Sequence, residues 1–425
     1  MSARLHARAR TRTLCVLFSC LMMAAAVCPP AAAQGLGLGD LLARAASADP
    51  SAAINAARLQ AAGAAVRGAD FGPRPRVGID LEDFAGSGPY RGADSSQTTA
   101  YYERVWERGG KREARVQLAQ SEQAVARQRA QLRMLDLFEK VQTAWIEALA
   151  AQAAITIAQE RLAAAERTER DVARRVSRAA DPLFAGERAR AGLAQARIAR
   201  DQAIETARVA RANLATWWGG DDTIALDQRA FLELKNTQAA ENSTPDLDLL
   251  AAERDAANAG IRLAEAASAT DPTLRVGVRR FGQGNEVALM VGGSIPIGLD
   301  QSSLPAIERA QAERLAAEGE LAAARLQRKR DSEKLRSERA AILNEVARID
   351  AEVIPLAERA AALVRDGFNR GGTAFTYLEV AEAQRALAEA RTRRNDLARR
   401  FHLDGARLDR LSGRHLSLIS SEEKR

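Results

Sequence analysis

Cysteine is scarce in this chain of 425 residues, and its positions limit the chemistry that the protein can carry out. All three cysteines, Cys15, Cys20 and Cys28, lie within the first 33 residues. That stretch has the pattern of a secretory leader, in which basic residues precede an apolar run (Leu14–Val27) and a small-residue cleavage site (Ala31–Ala33). The secreted chain would contain no thiol, which excludes disulfide bonds and cysteine-ligated metals.

A signal peptide over residues 1–33 also accounts for much of the positive charge. It holds four arginines and no acidic residue, so its removal lowers the formal net charge from +7 to +3. So small an excess gives no reason to expect nucleic acid as a partner. Alternatively, Cys28 would be a lipid-bearing N-terminus. Against this, bulky Val27 occupies the position where lipoprotein signals have a small residue.

Long hydrophobic runs and catalytic motifs are missing as well. After the leader, no stretch reaches the roughly 18 apolar residues of a membrane-spanning helix. The two histidines that follow the leader, His402 and His415, have neither cysteines nor a spaced carboxylate motif beside them. Gly109-Gly110-Lys111 is followed by Arg112, where a phosphate-binding loop needs Ser or Thr. We therefore predict no enzyme activity, no cofactor and no metal site.

Proline and glycine are absent from the seventy residues between Gly110 and Asp181, and strong helix formers fill that stretch. One continuous helix there would be roughly 100 Å long. Only 4% of the chain is aromatic, whereas alanine supplies much of its 47% hydrophobic content, which favours closely spaced helices. Met134, Phe138 and Val141 recur at helical spacing and predict a packed seam. The stretch therefore indicates a long rod.

Short strands precede the rod. Residues 76–82 alternate strictly between apolar and polar side chains, which predicts a two-faced strand, and a partner strand follows the turn-rich segment after it. We place these strands at about 75–84 and 98–107, and a helical hairpin at 111–218. Together they form a first structural repeat over residues 34–219.

The same order of elements then recurs, which is the signature of an internal duplication. Arg76-Val77-Gly78 returns as Arg275-Val276-Gly277. A polar linker is predicted at 220–245 and a C-terminal tail at 414–425. Between them, the second repeat (246–413) contains strands at about 273–281 and 286–297 and a helical hairpin at 303–411. The predicted fold class is mainly α with a small β part, built from a duplicated unit of helix, β-hairpin and long helical hairpin.

Four short strands would leave unpaired edges, so one chain cannot close a sheet. Strands with one apolar face in a secreted protein suggest an outer-membrane β-barrel. Three copies would supply twelve strands, which favours a homotrimer whose barrel continues into a periplasmic α-helical barrel. The alternatives are a coiled-coil stalk with incidental hairpins, or a periplasmic adaptor or scaffold.

Several motifs carry a resemblance to a known family. In chain order they are Leu81–Gly88, Glu107–Arg112, Ser294–Ile297, Ile354–Glu358 and Tyr377–Val380. With these motifs in this order, the chain resembles the TolC-like outer-membrane efflux proteins, and most of all the CzcC-type branch that serves heavy-metal export. The resemblance covers essentially all of the chain after the leader.

This resemblance implies a passive channel that is anchored in outer-membrane lipid and extends through the periplasm. An inner-membrane RND pump would supply the energy, and a periplasmic adaptor would connect the pump to the channel. Heavy-metal cations are the expected cargo. Drug efflux and type I secretion of polypeptides are the other possible functions within this family.

The resemblance also identifies residues near the periplasmic end. The turns of the two helical hairpins would contact the adaptor; they are Ala179, Ala180, Asp181 and Pro182 in the first repeat and Gly371, Gly372 and Thr373 in the second. Glu379 and Glu382 would narrow the channel as rings of carboxylate that hold cations and repel anions. The simpler interpretations are helix-reversing turns and a solvated helix face. A bend is expected at Pro355 in the second rod.

Overall fold

The computed structural model describes residues 37–221, 223, 225–235, 244–284, 286–297, 303–371 and 375–422. The predicted leader with Cys28, and part of the predicted linker, lie outside these residues. Long helices dominate the described chain and the strands are short. The predicted fold class, mainly α with a small β part, is therefore confirmed.

The elements follow the order helix, β-hairpin and long helical hairpin, twice along the chain. The helices are α1 (Leu38–Ala48), α2 (Ser51–Ala69), α3 (Lys111–Ser177), α4 (Leu183–Ala215), α5 (Arg229–Leu232), α6 (Pro245–Ala267), α7 (Ser303–Arg348), α8 (Ile354–Asn369), α9 (Tyr377–Ser412) and α10 (Leu416–Glu422). The strands are β1 (Arg76–Glu82), β2 (Gln97–Val105), β3 (Thr273–Phe281) and β4 (Val287–Ser294).

The first rod, α3, is a single helix of 67 residues. It starts after Gly110, whose φ of 73° places it in the left-handed region, and the chain reverses beyond Ser177 at Ala179, which has a φ of 56°. At about 1.5 Å per residue the helix is roughly 100 Å long. A rod of this length exists because no helix-breaking residue interrupts it.

The main hydrophobic core surrounds the middle of α3. The apolar side chains there are buried by α1, by the second half of α9 and by Leu214 at the end of α4. The α3 members of this core include Leu132, Met134, Leu135, Phe138, Val141, Trp145, Ile146 and Leu149. They recur every three or four residues, so one side of the rod is apolar and faces its neighbours.

The predicted linker and tail both contain residues that pack on this core. Helix α5 lies within the predicted polar linker, and its Phe231 is only 1% exposed. The Phe231 ring stacks on His402 with a centroid distance of 5.2 Å. In the predicted tail, Leu416 of α10 packs against the main core. The predicted polar linker therefore includes a short segment that one buried aromatic side chain holds against the core.

The second rod contains a local irregularity directly before Pro355. Between α7 and α8, residues Ile349–Val353 form a π-helical turn. Proline has no backbone N–H to donate to the carbonyl of Ala351, and its ring crowds that carbonyl. A π-turn widens the backbone at this point so that the helix can continue.

The strands form one antiparallel sheet in the order β1-β2-β3-β4. The central pairing of β2 with β3 joins the two repeats, with Tyr102 opposite Val276 and Ala100 opposite Val278. Among the described residues, β1 and β4 each have one edge without a partner strand. None of the described helices combines the length and the apolar character needed to cross a membrane.

Acid should destabilise the core around His402. Its Nε2 donates to the carbonyl of Phe231 at 2.9 Å, and its ring packs between Phe231 and Phe401. Burial lowers the pKa of His402, the hydrogen bond to Phe231 opposes this, and the charge of Arg339 lowers it further. The folded protein therefore binds this proton less readily than the unfolded chain, so stability falls as pH drops below about 6.5.

The measurement is the melting temperature of the detergent-solubilised protein at about pH 7.5 and about pH 5.5. His402→Gln keeps a donor for the Phe231 carbonyl but cannot be protonated, so it should lose less stability on acidification than the unsubstituted protein. Burial also lowers the pKa of His415 and raises that of Asp404, but both groups are present in the two proteins. If acidification lowered the melting temperatures of both proteins equally, the assignment to His402 would be contradicted.

Candidate functional site

One face of the sheet is apolar and open. Val77 of β1, Val276 of β3 and Val291 of β4 lie in one cross-strand row with Tyr102. Val77 is 81% exposed, and Leu289 in the next row is 84% exposed. No described element covers this face, and so large an exposed apolar surface indicates a non-aqueous or protein partner.

The junction between the strands and the rods ties the two repeats together. Asp271, just before β3, accepts from Lys111 Nζ at 2.7 Å and from the backbone N–H of Arg108 at 3.0 Å. Burial raises the pKa of Asp271, but these hydrogen bonds outweigh burial and leave the pKa lowered. Gly109 has a φ of 71°, and a Cβ there would lie 2.4 Å from that of Ala269. Only glycine fits this close approach.

At the far end of the rods, Arg175 fastens the first hairpin turn. Its Nε and Nη2 donate to the two carboxylate oxygens of Asp181 at 2.9 and 3.0 Å. Its Nη1 donates to the carbonyl of Phe368 in the second hairpin at 2.6 Å, and its guanidinium lies 4.4 Å from the Phe368 ring centroid. Asp181, a predicted docking residue, therefore orients an arginine that connects the two hairpins.

A small core lies behind the two turns. Its buried members are Val172, Ala185, Ala189, Phe368 and Val380. Beyond that core, Leu183 and Phe184 remain exposed beside Pro182, with Leu183 79% exposed. Ala179 and Ala180 form the turn itself, in which the N–H of Ala180 donates to the carbonyl of Arg175 at 2.9 Å.

The second turn is only partly described. Gly371 has a φ of 83°, as a helix-ending glycine often does. Gly372 and Thr373, the other predicted docking residues, lie outside the described residues. Gly367 precedes this turn, and a Cβ there would lie 2.5 Å from the ring of Phe375. Because Gly367 has no side chain, the Phe375 ring can lie close to its backbone and pack against the small core.

Glu379 has a local role that was not predicted. Its carboxylate accepts from the backbone N–H of Thr376 at 2.9 Å and from the Thr376 hydroxyl, which completes a capping box at the start of α9. These hydrogen bonds lower the pKa of Glu379, and the bond from the Thr376 hydroxyl has the largest effect. The signal in the sequence is Thr376 followed three residues later by glutamate.

Glu382 lies one turn further along α9 and is exposed, as Glu379 is. Its carboxylate has no ion-pair partner within the part of the chain that the structure describes. The two glutamates are close together at the start of the same helix, next to the second turn. Their role in a constriction depends on neighbouring copies and stays a prediction.

The described residues contain no group of three or more His, Cys, Asp or Glu side chains that could hold a metal ion. Asp181 binds Arg175, Asp271 binds Lys111, and Glu379 binds Thr376 instead.

Comparisons with known proteins agree with this architecture. No protein-family model matches the chain. It is 25% identical over 398 residues to the cobalt-zinc-cadmium resistance protein CzcC of Cupriavidus metallidurans, which covers 91% of this chain and 92% of that protein. The predicted resemblance to the CzcC-type branch is therefore confirmed.

Solved structures agree in fold. The outer membrane protein VceC of Vibrio cholerae superposes with a TM-score of 0.72 at 21% identity, over 88% of this chain and 96% of that one. The outer membrane channel CmeC of Campylobacter jejuni gives a TM-score of 0.69 at 12% identity, over 91% and 89%. The chain has the fold of these outer-membrane proteins.

Replacing Arg175 should loosen the first turn. The side chains of Arg175 and Asp181 are 17% and 14% exposed, so Arg175→Gln would leave a mostly buried carboxylate without its partner. We expect the free energy of local opening at this turn to fall by about 3 kcal/mol. Hydrogen exchange of the amides near Ala179 measures this opening.

Arg174→Gln is the matched control. Arg174 is the neighbouring arginine, and its side chain is 64% exposed in an ion pair with Asp171. Its loss should change local opening by less than about 0.5 kcal/mol. Similar effects of the two substitutions would show that Arg175 does not fasten the turn.

Proposed function

We propose that this chain is the outer-membrane channel of a tripartite efflux system, a passive conduit rather than an enzyme. One observation carries the proposal: a sheet with an open apolar face and two free edges is attached to helical hairpins of periplasmic length. Lipid is the medium that would cover such a face without cost. The likeness to CzcC and to the outer-membrane channels supports the same function.

The free edges of β1 and β4 support a trimeric assembly. In a membrane, unpaired backbone groups at a sheet edge are too costly to leave open. If β4 of one copy pairs with β1 of the next, three copies close a twelve-stranded barrel. The rods would then continue this barrel as a tube through the periplasm.

The two hairpin turns are the proposed docking surface for a periplasmic adaptor, which would in turn bind an inner-membrane RND pump. Exposed Leu183 and Phe184 beside Pro182 support this, since apolar side chains at a rod end can bury themselves against a partner. Gly371, Gly372 and Thr373 would form the second part of the same surface.

Heavy-metal cations are the proposed cargo. The supporting observation is the name of the relative, which connects CzcC with resistance to cobalt, zinc and cadmium. The pump would select the ions, so the conduit needs no tight metal site, and tight binding would slow passage.

The assignment as a channel is tested in cells and in fractionated membranes. The protein should be recovered from outer membranes as a crosslinked trimer, and a deletion strain should become sensitive to zinc, cobalt or cadmium. A soluble periplasmic monomer would overturn the proposed channel. Sensitivity to drugs instead of metals would leave the channel in place and change its cargo.

The carboxylate ring is tested by Glu379→Gln together with Glu382→Gln. Glutamine at position 379 can still complete the capping box, so the substitutions remove charge without removing the cap. In planar lipid bilayers the variant should show higher single-channel conductance or weaker cation preference, because rings of negative charge near the turns would be gone. Unchanged conductance and selectivity would reject the constriction.

A further inference from the structure

Arg279 crosses the polar face of the sheet and uses all three of its donor nitrogens. Its Nε donates to Thr99 Oγ1, its Nη1 to Gln97 Oε1 and its Nη2 to Glu82 Oε2, each at 2.9 Å. Thr99 and Gln97 belong to β2, whereas Glu82 belongs to β1. The side chain therefore binds residues of both neighbouring strands on this side of β3.

Arg275 repeats this arrangement four residues earlier on the same face. Its Nη2 donates to Glu103 Oε2 at 2.8 Å, and its Nη1 approaches Asp80 Oδ2 at 3.4 Å. Its guanidinium also lies 4.0 Å from the ring centroid of Tyr101. On the other side of β3, Gly292 of β4 stands opposite Arg275 and offers no side chain to bind. Arg275 therefore leans towards β2 and β1.

The charges on this face balance. Its carboxylates are Asp80, Glu82 and Glu103, and each is bound by one of these two arginines. A third arginine, Arg76 of β1, lies opposite Glu103 in the strand register. The β4 residues on this face, Ala288, Met290, Gly292 and Ser294, carry no charge. Three cationic and three anionic side chains therefore share the polar face.

We propose that Arg275 and Arg279 determine the ion selectivity of the pore at the level of the sheet, by cancelling the carboxylates that would otherwise line it. This inference rests on the proposed channel, in which the apolar face meets lipid and the polar face lines the lumen. Three copies place six of these arginines around one lumen. With them, the barrel passes ions of either sign, and discrimination is left to the periplasmic end.

A purely structural role for the two arginines makes a different prediction. An ion-pair brace across strands would affect stability, but its loss would not create a binding site for cations. Loss of Arg275 in the proposed role instead leaves Asp80 and Glu103 without the arginine that binds them, and one negative charge in excess on the polar face of every copy. The six carboxylates released in this way around one lumen would attract multivalent cations.

The experiment measures block of single channels by lanthanum ions added on the sheet side of a planar bilayer. The variants are Arg275→Gln and Arg279→Gln, and Arg280→Gln is the matched control. Arg280 lies on the same strand as both but on the opposite, apolar face, opposite Val287. All variants share the same periplasmic end, so a difference in lanthanum block among them must arise at the sheet.

We expect the half-blocking concentration to fall by about tenfold in Arg275→Gln and Arg279→Gln and to stay unchanged in Arg280→Gln. Adding Glu103→Gln to Arg275→Gln should return the block towards that of the unsubstituted channel, because one carboxylate in each copy is then removed. The reversal potential in a salt gradient should shift towards cations in the two single variants.

Other outcomes separate the two proposals. If Arg275→Gln and Arg279→Gln form trimers of lower melting temperature but are blocked as Arg280→Gln is, the arginines are braces and the selectivity role is wrong. If the unsubstituted protein forms no channels in bilayers, the proposed function itself fails. Trimer formation by each variant is checked by crosslinking before the recordings.

Discussion

The pairing of β2 with β3 is the contact on which the rest of the architecture depends. It joins strands from the two repeats, and Glu103 and Arg275, which face each other across it, are 172 residues apart in the chain. Without this pairing there would be two separate hairpins, each with two open edges and little stability of its own. With it, most of the large aliphatic side chains of the four strands lie on one face, and the carboxylates lie on the other face with Arg275 and Arg279.

Ion pairs and small side chains hold the rods together. Alanine allows helices to lie close, but it buries little area, so the large apolar core is limited to the middle of α3 and its neighbours. Elsewhere single arginines connect several helices: Arg391 of α9 binds Glu160 of α3 and Glu358 of α8. Exposed pairs of this kind contribute little individually, and their effect here is to fix which helices are neighbours.

Glu379 and Asp181 show how much of the candidate site can be predicted from the sequence. Both were identified by position, since each lies next to a turn between two long helices. Glu379 completes a capping box that the Thr-x-x-Glu pattern of the sequence signals, and this function differs from the predicted constriction. The bond of Asp181 to Arg175, and the bond of Arg175 to the carbonyl of Phe368, involve a residue almost two hundred positions away. No local pattern signals such a contact.

By itself the sequence determined the repeated order of elements, the length of the rods and the two-faced strands. These features follow from intrinsic helix propensity, hydrophobic periodicity and the placement of proline and glycine, all of which act over a few residues. Only the tertiary structure decided that Phe231 in a polar segment is buried, that β2 pairs with β3, and that Arg275 and Arg279 bind carboxylates on two other strands. Such contacts join residues far apart in the chain, so they depend on how the packed helices and strands bring those residues together.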